Sequence, residues 1–192
     1  MTTQVPSRED ALALLHEYTK TDNLRKHAYA VEAVMRHLAR KAGEDEEKWG
    51  VIGLVHDLDY EQFPDQHCSK TREILEARGW PEEYIRAVVS HGYGICSDVE
   101  PVTLLEKTLY AIEELTGLVA ASALVRPSKS VLDLTTKSVM KKWKTPAFAA
   151  GVDRSVIEKG AGMLGCEVTD LVESTIMGMR EAAAEIGLKG EL

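Results

Sequence analysis

The sequence predicts an all-α protein, and three observations carry that prediction. Ala, Leu, Glu, Lys and Met are plentiful while only 6% of the 192 residues are aromatic, a composition that favours helix over strand on intrinsic propensity. Apolar residues recur at helical spacing through most of the chain. No run of alternating apolar and polar residues is convincing as a strand. A chain of this length is enough for one well-buried core, so a single domain is expected over 1–192.

The elements follow in order from periodicity and from start and stop signals. Ser7 precedes a first helix carrying Ala11, Leu12, Leu14, Leu15 and Tyr18, with Glu9 and Asp10 placed where the helix dipole prefers them. Asp22 or Asn23 can cap a second helix, whose stripe of Leu24, Ala28, Val31, Val34, Met35 and Leu38 stops at Gly43. A third helix starts in the acidic cluster 44–47 and runs through Trp49, Ile52, Gly53 and Val55 to the sequence HDLD. The segment 60–66 contains Pro64 and lacks helical period, so it reads as an irregular connection to a helix over 69–78, ended by Gly79. Pro81, with Glu82 and Glu83 behind it, opens a helix that reaches His91.

Gly92 and Gly94 mark a turn, after which Pro101 opens the longest helix, with Leu104, Leu105, Thr108, Leu109, Ile112, Leu115 and Leu118 on one face. Short helices are expected around 138–142, 146–150 and 153–164, and a final one over 169–186. The basic stretch 141–144, KKWK, reads as a solvated turn.

Composition narrows the function. A formal net charge of -8 argues against a protein that grips a nucleic-acid backbone, because such proteins carry a basic face. The N-terminus lacks the basic start and apolar stretch of a signal peptide. The most apolar window, 115–125, is far shorter than the ~20 residues of a membrane span. No membrane association and a cytoplasmic location are therefore expected. Cys68, Cys96 and Cys166 are odd in number and widely spaced, so reduced thiols are expected, with neither a disulfide framework nor a thiolate zinc site.

The six histidines are the informative residues. His16 and His37 read as surface or structural residues. The other four fall where a site could be built. His27 lies inside the second helix, the pair His56-Asp57 closes the third, His67 follows the irregular loop, and His91 closes the helix before the glycine turn. Glu113 comes from the middle of the longest helix. Imidazole and carboxylate together suit divalent Zn, Mn, Fe, Co, Ni and Mg, and a set without thiolates is of catalytic rather than structural type.

In these residues the chain resembles the HD superfamily of metal-dependent phosphohydrolases, defined by an adjacent His-Asp pair, an earlier His and a late Asp. The matching segments are NLRKH ending at His27, LVHDLDYEQFPDQH with His56, Asp57 and His67, VVSHGYG with His91, and LYAIEELTGLV with Glu113. The resemblance implies a compact helical metal-binding core over about 20–125, with helices from 126–192 packed on it. It implies a first ion held by His27, His56, Asp57 and Glu113, with Asp57 bridging to a second held by His67 and His91. The late ligand is Asp in the family and Glu here, one methylene longer.

The expected activity is hydrolysis of a small phosphomonoester or phosphodiester substrate, nucleotides among them, by a metal-activated water. Asp59, two residues past the pair, is a candidate to orient that water or take its proton, and Lys70, Arg25 and Lys107 are candidates to contact phosphate. Two alternatives stay open. One is a di-iron oxygenase of the myo-inositol oxygenase type, suggested by His67 and His91. The other is a non-catalytic metal- or nucleotide-binding sensor, suggested by Glu113.

Overall fold

The computed structural model describes residues 5–191, and the regular structure among them is helical, with nine α-helices and one short 3-10 turn. The helices are α1 (Arg8–Tyr18), α2 (Asp22–Ala42), α3 (Glu46–Leu54), α4 (Ser69–Ala77), α5 (Glu82–Ser90), α6 (Leu104–Leu124), α7 (Thr136–Trp143), α8 (Arg154–Leu164) and α9 (Val168–Glu181). No helix among the described residues is long and apolar enough to cross a membrane.

The two 21-residue helices α2 and α6 form the centre. α3, α6 and α9 pack on α2, and α5, α8 and α9 pack on α6. One apolar cluster runs from Ala11 on α1 to Leu188 near the end of the chain and includes Val31, Val34 and Met35 of α2 and Leu109, Ile112, Leu115 and Leu118 of α6. The predicted stripes of both helices therefore face the same core, as burial of apolar surface requires. Gly53 permits the close crossing of α3 over α2. A Cβ at that position would lie 3.0 Å from Met35 Cγ and 3.3 Å from the Glu32 backbone. Glu32 is itself buried there, neutralised by Arg8 Nε at 2.6 Å and Arg36 Nε at 2.9 Å.

Five local expectations need correction. α2 is preceded by Thr21, not capped by Asp22 or Asn23, and the Thr21 hydroxyl donates to Glu61 instead of capping. α6 starts at Leu104, three residues after Pro101, because Thr103 and Glu106 form a reciprocal capping box. Pro64–Gln66 of the irregular loop forms the 3-10 turn. Residues 146–150 are turns, since Arg154 donates to the carbonyls of Trp143, Thr145 and Phe148 that a helix would otherwise use. α9 ends at Glu181, and the chain turns so that Leu188 can accept from the Val131 N–H at 2.8 Å. The KKWK stretch is the last turn of α7 and its cap, with Lys142 Nζ 4.5 Å above the Phe148 ring.

Candidate metal centre

Two helix ends build the centre in the same way. α3 stops at Leu54 and α5 at Ser90, and each leaves terminal carbonyls without helical donors. His56 Nδ1 donates to the Gly53 carbonyl at 2.7 Å, and His91 Nδ1 donates to the Val88 carbonyl at 2.6 Å. Each imidazole thus caps the carbonyl three residues back. With Nδ1 committed to that bond, Nε2 of each ring points inward and is the nitrogen left to meet a metal ion or a second proton. His56 Nε2 is buried with no hydrogen-bond partner.

His67 reaches the same state by another route. It follows the 3-10 turn, and its Nδ1 donates to Asp59 Oδ1 at 2.7 Å. The other Asp59 oxygen accepts from the Thr71 N–H at 2.8 Å, and the Asp59 N–H donates to the Thr71 hydroxyl at 3.2 Å. Asp59 is fully buried and both its oxygens are engaged. It orients His67, a role that the sequence reading, which gave Asp59 a water to orient or deprotonate, did not include. This carboxylate–histidine arrangement is the one that fixes metal-ligating imidazoles.

Around Asp57 the donors fall into two groups. Oδ2 lies 3.4 Å from His56 Nε2 and 3.9 Å from His27 Nε2, and Glu113 Oε1 is 3.4 Å from that same His27 nitrogen. Oδ1 lies 3.5 Å from His67 Nε2 and 3.4 Å from His91 Nε2. His27, His56, Asp57 and Glu113 offer ligand atoms all within 4.8 Å of one another, and so do Asp57, His67 and His91. Asp57 belongs to both groups through different oxygens. Glu113 reaches the first group from mid-α6.

The donor set fits divalent ions. His67 Nε2 and His91 Nε2 are 3.2 Å apart while both Nδ1 atoms donate elsewhere. Two such nitrogens approach this closely only with a cation, a proton or a metal ion, between them. Separations of 3.2–3.5 Å match the edge between ligands that each sit ~2.1 Å from one small ion.

The electrostatics agree. Burial pushes the Asp57 carboxyl up, but His56 and His91 reverse this and hold it well below the usual range. Burial pushes the imidazoles of His27 and His91 down, and the facing carboxylates overcome it: Glu113 and Asp57 raise His27, and Asp57 and Glu113 hold His91 at about 9. Glu113 is lowered because His27 outweighs its burial. The cluster as a whole attracts positive charge.

The ligands open on a cavity of about 330 Å³, walled elsewhere by Leu24, Tyr60, Ile95, Cys96, Glu114 and Val156. Glu114, adjacent to Glu113, lines the same cavity. Its carboxyl accepts from the Asp153 N–H, and burial followed by the neighbouring Glu113 charge pushes it up to about 7. Among the described residues no Lys or Arg lines this cavity. The three candidate phosphate contacts stand off its walls. Arg25 donates to the Thr19 carbonyl at 2.8 Å, and Lys70 pairs with Glu73 at 2.6 Å. Lys107 lies six residues before Glu113, ~9 Å away along the helix. His16 and His37 contact Tyr29 and Glu181, away from the centre.

The three cysteines are free thiols, and what their spacing does not reveal is that the fold brings two of them together. Cys68 and Cys96 bring their sulfurs to 2.9 Å beside His67. Thr71, Gly53 and Val88 also carry supporting roles that no local motif marks.

A family model described as HD domain matches residues 24–118, an interval that contains every residue of both donor groups. No curated protein and no solved structure gives a significant match.

Proposed function

Because the chain carries an HD domain over residues 24–118 and so belongs to the HD superfamily, we propose that it is a binuclear metal-dependent hydrolase of small phosphate esters. The observation that carries this reading is the sharing of Asp57 between two groups of acceptor atoms, whose imidazole protons are all committed elsewhere where the partner is known. His27, His56, Glu113 and Asp57 Oδ2 would hold one ion, and His67, His91 and Asp57 Oδ1 the other. Held there, the ions would supply Lewis acidity and lower the pKa of a water toward neutrality. Asp59 fixes the His67 ring, and the carbonyls of Gly53 and Val88 fix His56 and His91, so the chain meets its ions with little reorganisation. Leu24 and Val156 give the cavity an apolar wall beside the donors.

The test is a panel of phosphomonoesters and phosphodiesters, nucleotides included, with Mn, Co, Ni, Mg and Zn, run on protein whose metal content is measured by elemental analysis. Turnover that requires metal and is lost in Asp57→Ala supports the proposal. A folded, fully loaded protein that turns over no ester with any ion refutes it.

Two observations favour a second reading, a di-iron oxygenase. Four histidines serve the two groups, and among the described residues no Lys or Arg lines the cavity to meet a phosphate. Iron in the purified protein together with oxygen consumption on uncharged polyols would replace the hydrolase reading.

A further inference from the structure

Cys68 and Cys96 are 28 residues apart, yet their sulfurs lie 2.9 Å from one another. Three features hold them there. Cys68 adopts φ 67°, a left-handed conformation that L side chains rarely take. Cys96 belongs to a tight turn in which its N–H donates to the Gly92 carbonyl at 3.0 Å. Gly92 leaves the space the two sulfurs occupy, since a Cβ there would lie 2.3 Å from the Cys96 sulfur and 2.5 Å from the Cys68 sulfur. Any other side chain at 92 would drive the thiols apart.

The pair differs in access. Cys68 is buried and Cys96 is exposed, lining the cavity of the metal centre. Together with His67 they form a third group of ligand atoms within 4.8 Å. That group is not a thiolate metal site. His67 Nδ1 donates to Asp59 and Nε2 faces Asp57 and His91, so two sulfurs are left without the further ligands a tetrahedral ion needs.

We propose that Cys68 and Cys96 are a modification site, a dithiol that hydroperoxides convert reversibly to a disulfide at the rim of the metal centre. The exposed Cys96 sulfur attacks one peroxide oxygen. The O–O bond breaks, Cys96 becomes a sulfenic acid, and the other oxygen leaves as water or an alcohol. The Cys68 sulfur then attacks the Cys96 sulfur, the S–O bond breaks, and its oxygen leaves as water with the Cys68 proton. The two thiols lose two electrons and the peroxide gains them. Closing from 2.9 Å to the ~2.05 Å of a disulfide takes a movement of about 0.9 Å. The bond joins the residue that follows His67 to the turn that follows His91. Oxidation therefore tethers the segments that carry both histidines of the second group.

The experiment uses the full chain with Cys166→Ser, so that two thiols remain to be counted. The protein is treated with hydrogen peroxide, titrated with a thiol reagent, and digested without reduction for mass spectrometry. The expected result is loss of both titratable thiols, a linked peptide pair containing residues 68 and 96 in a monomeric product, and full recovery with a dithiol reductant. In Cys96→Ser, an exposed and conservative change, the Cys68 thiol should persist. Two thiols that stay titratable, a Cys96 sulfinic acid without a link, or a link between two chains would each overturn the proposal. None of these readouts depends on which reaction the metal centre performs.

Discussion

Asp59 Oδ1 accepts the Nδ1 proton of His67 at 2.7 Å, while the second oxygen of this fully buried carboxylate is held by the Thr71 N–H. The carboxylate therefore sets which His67 nitrogen is bare and where it points. Asp59→Asn keeps the shape and removes the charge, and an amide can present its N–H₂ to Nδ1, which inverts the tautomer. We expect metal affinity at the second group to fall by roughly 10–100-fold, with the first group unaffected. Competition titration against a chelator of known affinity measures this. Equal loss from both groups would mean that Asp59 supports the fold rather than His67.

The two donor groups should empty separately. His56→Ala removes a ligand of the first group only, and His91→Ala a ligand of the second only, whereas Asp57→Ala takes an oxygen from both. After reconstitution, elemental analysis should find about one equivalent of metal in each histidine variant and less in Asp57→Ala than in either, against about two in the wild type. Loss of both ions in His91→Ala would show that the groups do not fill independently.

Glu113→Asp tests how the longer side chain is used. The Glu113 carboxylate reaches His27 Nε2 at 3.4 Å from a helix position set by the packing of α6. Ile112 and Leu115 on either side are fully buried, so the helix cannot shift inward to make up a lost methylene. The shorter residue, although it is the one found at this point in the family, should weaken the first ion by about tenfold or more here. Unchanged affinity would place Glu113 outside the coordination sphere.

The parts of the centre that lie on periodic elements were legible in the sequence. His27, His91 and Glu113 sit on or at the end of helices whose stripes and caps predict them, and the helix order follows from the same signals. The orienting role of Asp59 was not legible because its partners, His67 and Thr71, are brought to it by a loop with no period to read. The Cys68–Cys96 contact was invisible for the same reason: it depends on a left-handed residue and a glycine turn, neither of which spacing reveals. The phosphate-contact candidates are not on the cavity wall and have local partners, Glu73 for Lys70 and the Thr19 carbonyl for Arg25, that composition cannot rank.

The stability of the chain without metal should fall as pH rises from about 7 to about 9. His91 is held at about 9 in the folded chain by Asp57 and Glu113 against its own burial, above the ordinary value of 6.5, and His27 and His67 are raised in the same direction. A group raised by folding stabilises fully below its unfolded pKa and loses that contribution as pH climbs through its folded pKa. Glu114, raised to about 7, finishes titrating at the lower end of this window and acts in the same direction. Cys96 works in the opposite sense, because the Cys68 thiol beside it pulls it down to about 6, so the measurement belongs on Cys96→Ser. Thermal melts of that variant after chelation should show Tm declining across the window. Reloaded with a divalent ion, the same variant should lose the decline, because the ion holds the imidazoles neutral at every pH and releases their protons on binding. A metal-free Tm that stays level from pH 7 to 9 would mean that protons do not take the place of cations between these carboxylates and imidazoles.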